Sequence, residues 1–252
     1  MQNGGLVLSK TVFTGNGGPI NVTADSIVLD GSGTGFSSQT TGVGTVSANG
    51  VSSLIGIGGN ISLTGGTLSV RNNASIAATT TGSGTGGSIG IATTGDVAVN
   101  AGSQILSSSD VTGASSPVTA TGVGQSGDAG AVTINAGTLT LSRGGSIRSL
   151  TLASGNAGKI VLKVEDAFTI NGADGRDFLT GVDSEAARGS SSSAGVTQVK
   201  VGSVSVFQGV TSSNTQGSGA GGSVEVATSG GALLLDGGGV SGTEIGASAL
   251  GT

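Results

Sequence analysis

The residues best suited to chemistry crowd into one stretch of this chain. Between Lys163 and Arg188 stand Lys163, Glu165, Asp166, Asp174, Arg176, Asp177, Asp183, Glu185 and Arg188, nine of its 23 charged side chains (9 basic, 14 acidic). Asp183 and Glu185 are two apart, so an extended backbone puts both on one face. Asp174 and Asp177 fall in the segment just before them. Carboxylates so grouped can serve as acid and base in cleaving a polysaccharide, or ligate Ca²⁺. Arg176 or Arg188 could hold the carboxylate of an acidic sugar. The competing reading is a solvated turn inserted between two strands, with no chemistry. Asn171-Gly-Ala-Asp174-Gly-Arg-Asp177 loosely resembles an acidic calcium loop, but lacks the alternating ligands and closing glutamate of an EF-hand.

Composition removes several functions. With no Cys or His, disulfides, thiolate or imidazole metal sites and Ser-His or Cys-His catalytic pairs are impossible. A net charge of −5 gives no basic nucleic-acid surface. No apolar run approaches a membrane span, and the amino-terminal residues lack the basic start and apolar stretch of a signal peptide. With no Trp or Tyr, a glycan cleft would lack its usual stacking rings. The five phenylalanines (Phe13, Phe36, Phe168, Phe178, Phe207) read instead as core or cap residues.

These groups must be positioned by a repeating scaffold. A glycine box, short alternating apolar runs and a polar tail recur along the chain. Gly56–Thr80, Gly84–Ser107 and Gly127–Thr151 superpose. Ile61, Leu63, Leu68, Val70 and Ile76 in the first match Ile89, Ile91, Val97, Val99 and Ile105 in the second, then Val132, Ile134, Leu139, Leu141 and Ile147 in the third. Boxes begin at Gly15, Gly56, Gly84, Gly127, Gly155 and Gly219, and a box-less repeat is expected at Val199, Val201, Val204, Val206 and Val210. Residues 36–55 and 108–126 read as Ser/Thr/Gly-rich loop insertions. Period-two alternation denotes strands with one buried face. Glycines between the runs supply the positive φ of sharp bends. Units too short to hold their own core must stack.

The expected fold is therefore all-β: a right-handed parallel β-helix, or solenoid, of about seven coils spanning residues 1–252 as a single domain. The pattern starts and stops in mid-repeat, which suggests a piece of a longer repeat protein. At one bend, Asp30, Arg71, Asn100, Ser142, Asn171 and Asp236 should form a polar ladder of turn residues. Thr67, Ser69, Thr138, Thr140, Ser203 and Ser205 should face outward. Asp96, Ala98, Ala232 and Leu234 break their columns, against a regular ice- or glycan-binding lattice.

The stretches GNGGPINVT, GIGGNISLTGGTLSV, GDAGAVTINAGTLTLSRGGSIRS and GNAGKIVLK resemble the rod repeats of filamentous-haemagglutinin-like exoproteins of two-partner secretion. The resemblance implies a β-helical shaft exported to the bacterial surface or medium and used in display or adhesion. It brings no catalytic residue and no cofactor. The leading expectation is thus a non-catalytic shaft segment of a secreted or cell-surface adhesin. Its partners would be flanking repeats, copies of itself joined at coil ends, or a glycan or host-surface ligand. The alternative is a histidine-free hydrolase or lyase acting on a polysaccharide or ester through Asp174, Asp177, Asp183 and Glu185.

Overall fold

The structure, a computed structural model, describes residues 6–12, 16–32, 42–48, 57–81, 84–110, 127–152, 155–173, 180–186, 192–239 and 242–249. Among them there is no helix, and every strand pairing is parallel. Strand β1 (Leu6–Val12) precedes seven repeats. The first holds β2 (Ile20–Asp30) and β3 (Gly42–Ala48); the second, β4 (Ile61–Arg71) and β5 (Ser75–Thr81). The third comprises β6 (Ile89–Thr93), β7 (Asp96–Asn100) and β8 (Gln104–Asp110). The fourth comprises β9 (Val132–Ala136), β10 (Thr138–Ser142) and β11 (Ser146–Thr151). Then come β12 (Ile160–Asn171) with β13 (Gly181–Ala186), and β14 (Val196–Phe207) with β15 (Val210–Thr215). The last has β16 (Ser223–Thr228), β17 (Leu233–Asp236) and β18 (Glu244–Ala249).

Each strand pairs with its counterpart in the next repeat, forming an eight-stranded and a ten-stranded sheet. Ile61 pairs with Ile89 and Ile89 with Val132; Ile76, Ile105, Ile147 and Val182 follow one another in the other sheet. Alternation turns these side chains inward, where both sheets feed one apolar cluster. The residues read as an insertion at 36–55 include β3, and those at 108–126 begin with the end of β8. Third strands are rich in Ser, Thr and Gly, so their composition imitates a loop.

The box-less repeat departs from the expected register. Thr197 and Val199 occupy its first two inward positions, and Thr211, not Val210, lies beside Val182. Thr197 donates its hydroxyl to the Ser212 carbonyl (3.2 Å), whereas the buried Thr211 Oγ1 has no partner.

Between the first and second runs, Gly65, Gly66, Gly95 and Gly137 lack the expected positive φ, and the box glycines lack it too. None of Gly59, Gly87, Gly130, Gly158, Gly195 or Gly222 has a positive φ. They form a file in which a Cβ on each would overlap the carbonyl oxygen of the glycine one repeat earlier, from Gly18 through Gly195. The requirement is close backbone approach. Among the described residues positive φ falls chiefly at the bend after the second strand, at Asn72–Asn73, Ala101–Gly102, Arg143–Gly144, Gln208 and Gly238–Gly239, and also at Gly230 between β16 and β17.

The polar tails face inward as well. Ser107, Ser149, Ser184 and Ser213 donate across the interior to the Gly87, Gly130, Gly158 and Gly195 carbonyls at 2.8, 3.1, 2.9 and 2.6 Å. Each bond joins the third strand of a repeat to the box that opened it. A buried hydroxyl is tolerable because its bond replaces the lost water.

Three substitutions test this packing. Gly130→Ala should lower stability by about 2–3 kcal/mol, since backbone must move. At Gly90 a Cβ would meet nothing closer than 3.9 Å, so Gly90→Ala should be neutral or stabilise by up to about 1 kcal/mol. Thr211→Val removes an unsatisfied hydroxyl at constant shape and should stabilise by about 1–2 kcal/mol. Urea unfolding monitored by circular dichroism measures all three.

Candidate functional site

The charged stretch of the sequence separates in space. Lys163, Glu165 and Asp166 lie on β12 in the ten-stranded sheet, while Asp183 and Glu185 lie on β13 in the eight-stranded one. Asp174, Arg176, Asp177 and Arg188 lie outside the described residues. Alternation along β13 turns Val182, Ser184 and Ala186 inward, leaving Asp183 and Glu185 together on the outer face. Those two are the sequence-predicted site residues that the described structure brings together.

Their partners come from the strands on either side. Arg148 of β11 is the register neighbour of Asp183, and Ser212 of β15 its neighbour across. Arg148 Nη2 donates to Glu185 Oε2 at 2.7 Å and reaches Asp183 Oδ2 at 3.3 Å. Ser212 Oγ donates to Asp183 Oδ1 at 2.7 Å, and Gln216 Nε2 donates to Glu185 Oε1. All four carboxylate oxygens thus accept a hydrogen bond from the protein. Asp183 is only 5% exposed. Burial, reinforced by the charge of Asp183 and opposed by Arg148, pushes the Glu185 carboxyl up to about 7.

A carboxyl group titrating near neutrality suits acid–base work. The geometry offers it little freedom for that. Every oxygen is engaged, and the network ties three neighbouring strands. Its evident effect is to brace β11, β13 and the end of β15. Arg148 lies far from the charged stretch in sequence. The signal that finds it is the repeat itself, since SIRSLT aligned on GVDSEA sets Arg148 over Asp183.

The other candidates behave as turn and surface chemistry. Asp30 and Arg71 are register neighbours joined at 2.9 Å. The Asn72 amide (2.8 Å), the Ser32 N–H (2.9 Å) and Arg71 hold the Asp30 carboxyl well below the usual carboxylate range. Asn171 and Asp236 accept from the N–H two residues on, at 3.1 and 2.8 Å. Phe207 interrupts this polar file between them. In the outward rows Thr67 bonds Ser26 (3.2 Å) and Thr138 bonds Asp96 (2.8 Å), and Ala98 and Leu234 break the files. Phe168 is buried in the core, Phe207 is half-buried, and Phe13, Phe36 and Phe178 lie outside the described residues. Among the described residues no group of three acidic side chains could hold a metal ion, and no helix is long and apolar enough to cross a membrane.

Comparison with family models, curated proteins and solved structures finds no match.

The Glu185 carboxyl links stability to pH with a definite sign. It is raised from 4.5 to about 7 in the fold, so between those values the folded chain holds a proton that the unfolded chain has lost. This contribution to stability is complete below about 4.5 and disappears as pH rises through 7. It amounts to about 3 kcal/mol at 1.36 kcal/mol per unit. Glu185→Gln should abolish this fall and be the more stable protein at pH 8. Urea midpoints from pH 4.5 to 8 compare the two; parallel curves would refute the assignment.

Proposed function

We propose that this chain is a load-spacing, non-catalytic shaft: a right-handed parallel β-helix of seven coils that belongs to a secreted or cell-surface bacterial adhesin. The observation that carries the reading is the parallel pairing of seven successive repeats, interrupted between β12 and β14 by one bulge at Val164–Ala167, each repeat lending its neighbour backbone hydrogen bonds, core and a glycine contact. At about 4.8 Å per coil the rod is roughly 34 Å long. The right hand follows the general preference for crossovers between parallel strands. In such an object length is the useful property, because each coil adds reach without new architecture. The resemblance of the glycine boxes to haemagglutinin-type rods supports export and display, with a glycan or protein of the host surface as ligand for a loop.

The carboxylate hydrolase or lyase is the weaker reading. Asp183 and Glu185 serve one arginine, one serine and one glutamine, and Arg148 neutralises part of their charge. Each of their four oxygens already accepts a hydrogen bond from the protein, which favours a bracing role over catalysis.

Stacked repeats should tolerate loss of a whole unit. Deleting residues 127–154, one 28-residue repeat from box to box, is expected to leave a shorter β-protein that still unfolds cooperatively, whereas an unfolded product would refute the coil stack. Fractionating the producing bacterium should place the protein at the surface or in the medium. Recovery from the cytosol alone would refute the adhesin assignment.

A further inference from the structure

The chain carries the acceptor pattern for sugar attachment, Asn-x-Ser/Thr without proline at x, at three places: Asn21-Val22-Thr23, Asn60-Ile61-Ser62 and Asn73-Ala74-Ser75. The fold treats them differently. On β2, Ile20 points inward at 7% exposure, and alternation turns Asn21 and Thr23 out together on the ten-stranded sheet, where both are exposed. Their register neighbours are Ser62 and Thr64 of β4, which are exposed too, although repeats flank that strand on both sides. Outward positions on this face therefore stay open whatever stacks above or below. Among the described residues the Asn21 side chain makes no hydrogen bond.

The other two asparagines are held. Asn60 Oδ1 accepts the Ser88 N–H at 2.9 Å, which clamps its amide against the next repeat. Asn73 sits at a bend with φ +61°, and its partner Ser75 is only 7% exposed. Because the pattern is read as a pair, a transferase must reach the amide and the hydroxyl two residues on together. A buried hydroxyl denies it that. We propose that Asn21 is an N-glycosylation site of the folded chain, and that the fold withholds Asn60 and Asn73.

The acceptor atom is Asn21 Nδ2. It attacks C1 of a sugar whose C1 oxygen carries a diphosphate, joined either to a nucleoside or to a lipid. The N–C1 bond forms as the C1–O bond breaks; the diphosphate leaves with the electron pair, and the amide gives one proton to a base of the transferase. Nothing is oxidised or reduced. A sugar bulky and hydrated in this way belongs on a surface, and at an outward position it leaves the core and the ladder hydrogen bonds untouched. Its neighbours across the strands are the hydroxyls of Ser62 and Thr64. The chemistry needs only the outer face of β2 and is independent of display or adhesion.

Mass spectrometry of the protein isolated from its producing bacterium tests this. Cleavage before Asp25 and Asp30 parts Asn21 from Asn60, and trypsin at Arg71 parts both from Asn73. The expected result is a sugar mass on the Asn21 peptide, with Asn60 and Asn73 bare. A single hexose there identifies the nucleotide donor and a preassembled oligosaccharide the lipid-linked one; either supports the site. Asn21→Gln and Thr23→Ala should each abolish the added mass and Thr23→Ser should retain it, all with unchanged circular dichroism. An unmodified Asn21, as much sugar on Asn60 or Asn73 as on Asn21, or a sugar that persists in Thr23→Ala would each overturn the proposal. Sugar on Asn21 of a protein recovered only from the cytosol would overturn the adhesin reading and leave this site standing.

Discussion

The structure depends on how closely one repeat can approach the next along the file of box glycines. From Gly59 to Gly222, each glycine stands where a side chain would strike the carbonyl oxygen of the glycine before it. That contact sets the spacing at one corner of every repeat, and parallel pairing carries it through both sheets. The demand accounts for one glycine at this corner of each repeat from Gly18 to Gly222. Glycine is entropically expensive in a strand. Here that cost is offset because no other residue permits the approach.

A second device closes each repeat from within. In an ordinary core the third strand would meet its opposite corner through apolar contacts. In this chain a serine hydroxyl spans the interior to the box carbonyl, in four consecutive repeats. Small residues keep the cross-section narrow, and the bond fixes the distance between strand and box more sharply than dispersion contacts would. Ser149 and Ser184 also accept from the N–H groups of Gly158 and Gly195 in the next repeat (2.8 and 3.0 Å). The same hydroxyl therefore closes its own repeat and pins its neighbour.

The cluster of Arg148, Asp183 and Glu185, the densest group of buried charge among the described residues, follows the same logic. Arg148, Asp183 and Glu185 sit on adjacent strands of the outer face, so the pairing that builds the sheet also assembles the ion cluster. Hydrogen bonds to every carboxylate oxygen and one guanidinium shared between two acids offset part of the burial cost; the remainder shows in the raised Glu185 carboxyl and in a buried Arg148 Nε without a partner. Its chemical readout is a carboxyl group held near neutrality, a consequence of bracing the sheet that requires no substrate.

Much of the backbone plan was legible in the chain itself. Period-two alternation identified the strands, and the recurrence of Ile61, Ile89 and Val132 fixed their neighbours, because a one-residue slip would turn every apolar side chain outward. The Asx bends at Asp30, Asn171 and Asp236 were readable too, since such turns are local. Three things required tertiary structure. The inward role of Ser107, Ser149, Ser184 and Ser213 was hidden because serine in an alternating run looks solvated until the opposite wall is known. The placement of Thr211 beside Val182 turned on a one-residue choice that the neighbouring valine masked. Arg148 joined Asp183 and Glu185 only when strands 35 residues apart lay side by side. Sequence determined which residues alternate and recur, because those are properties of one strand. The fold alone decided what each side chain faces, because that partner comes from another turn of the backbone.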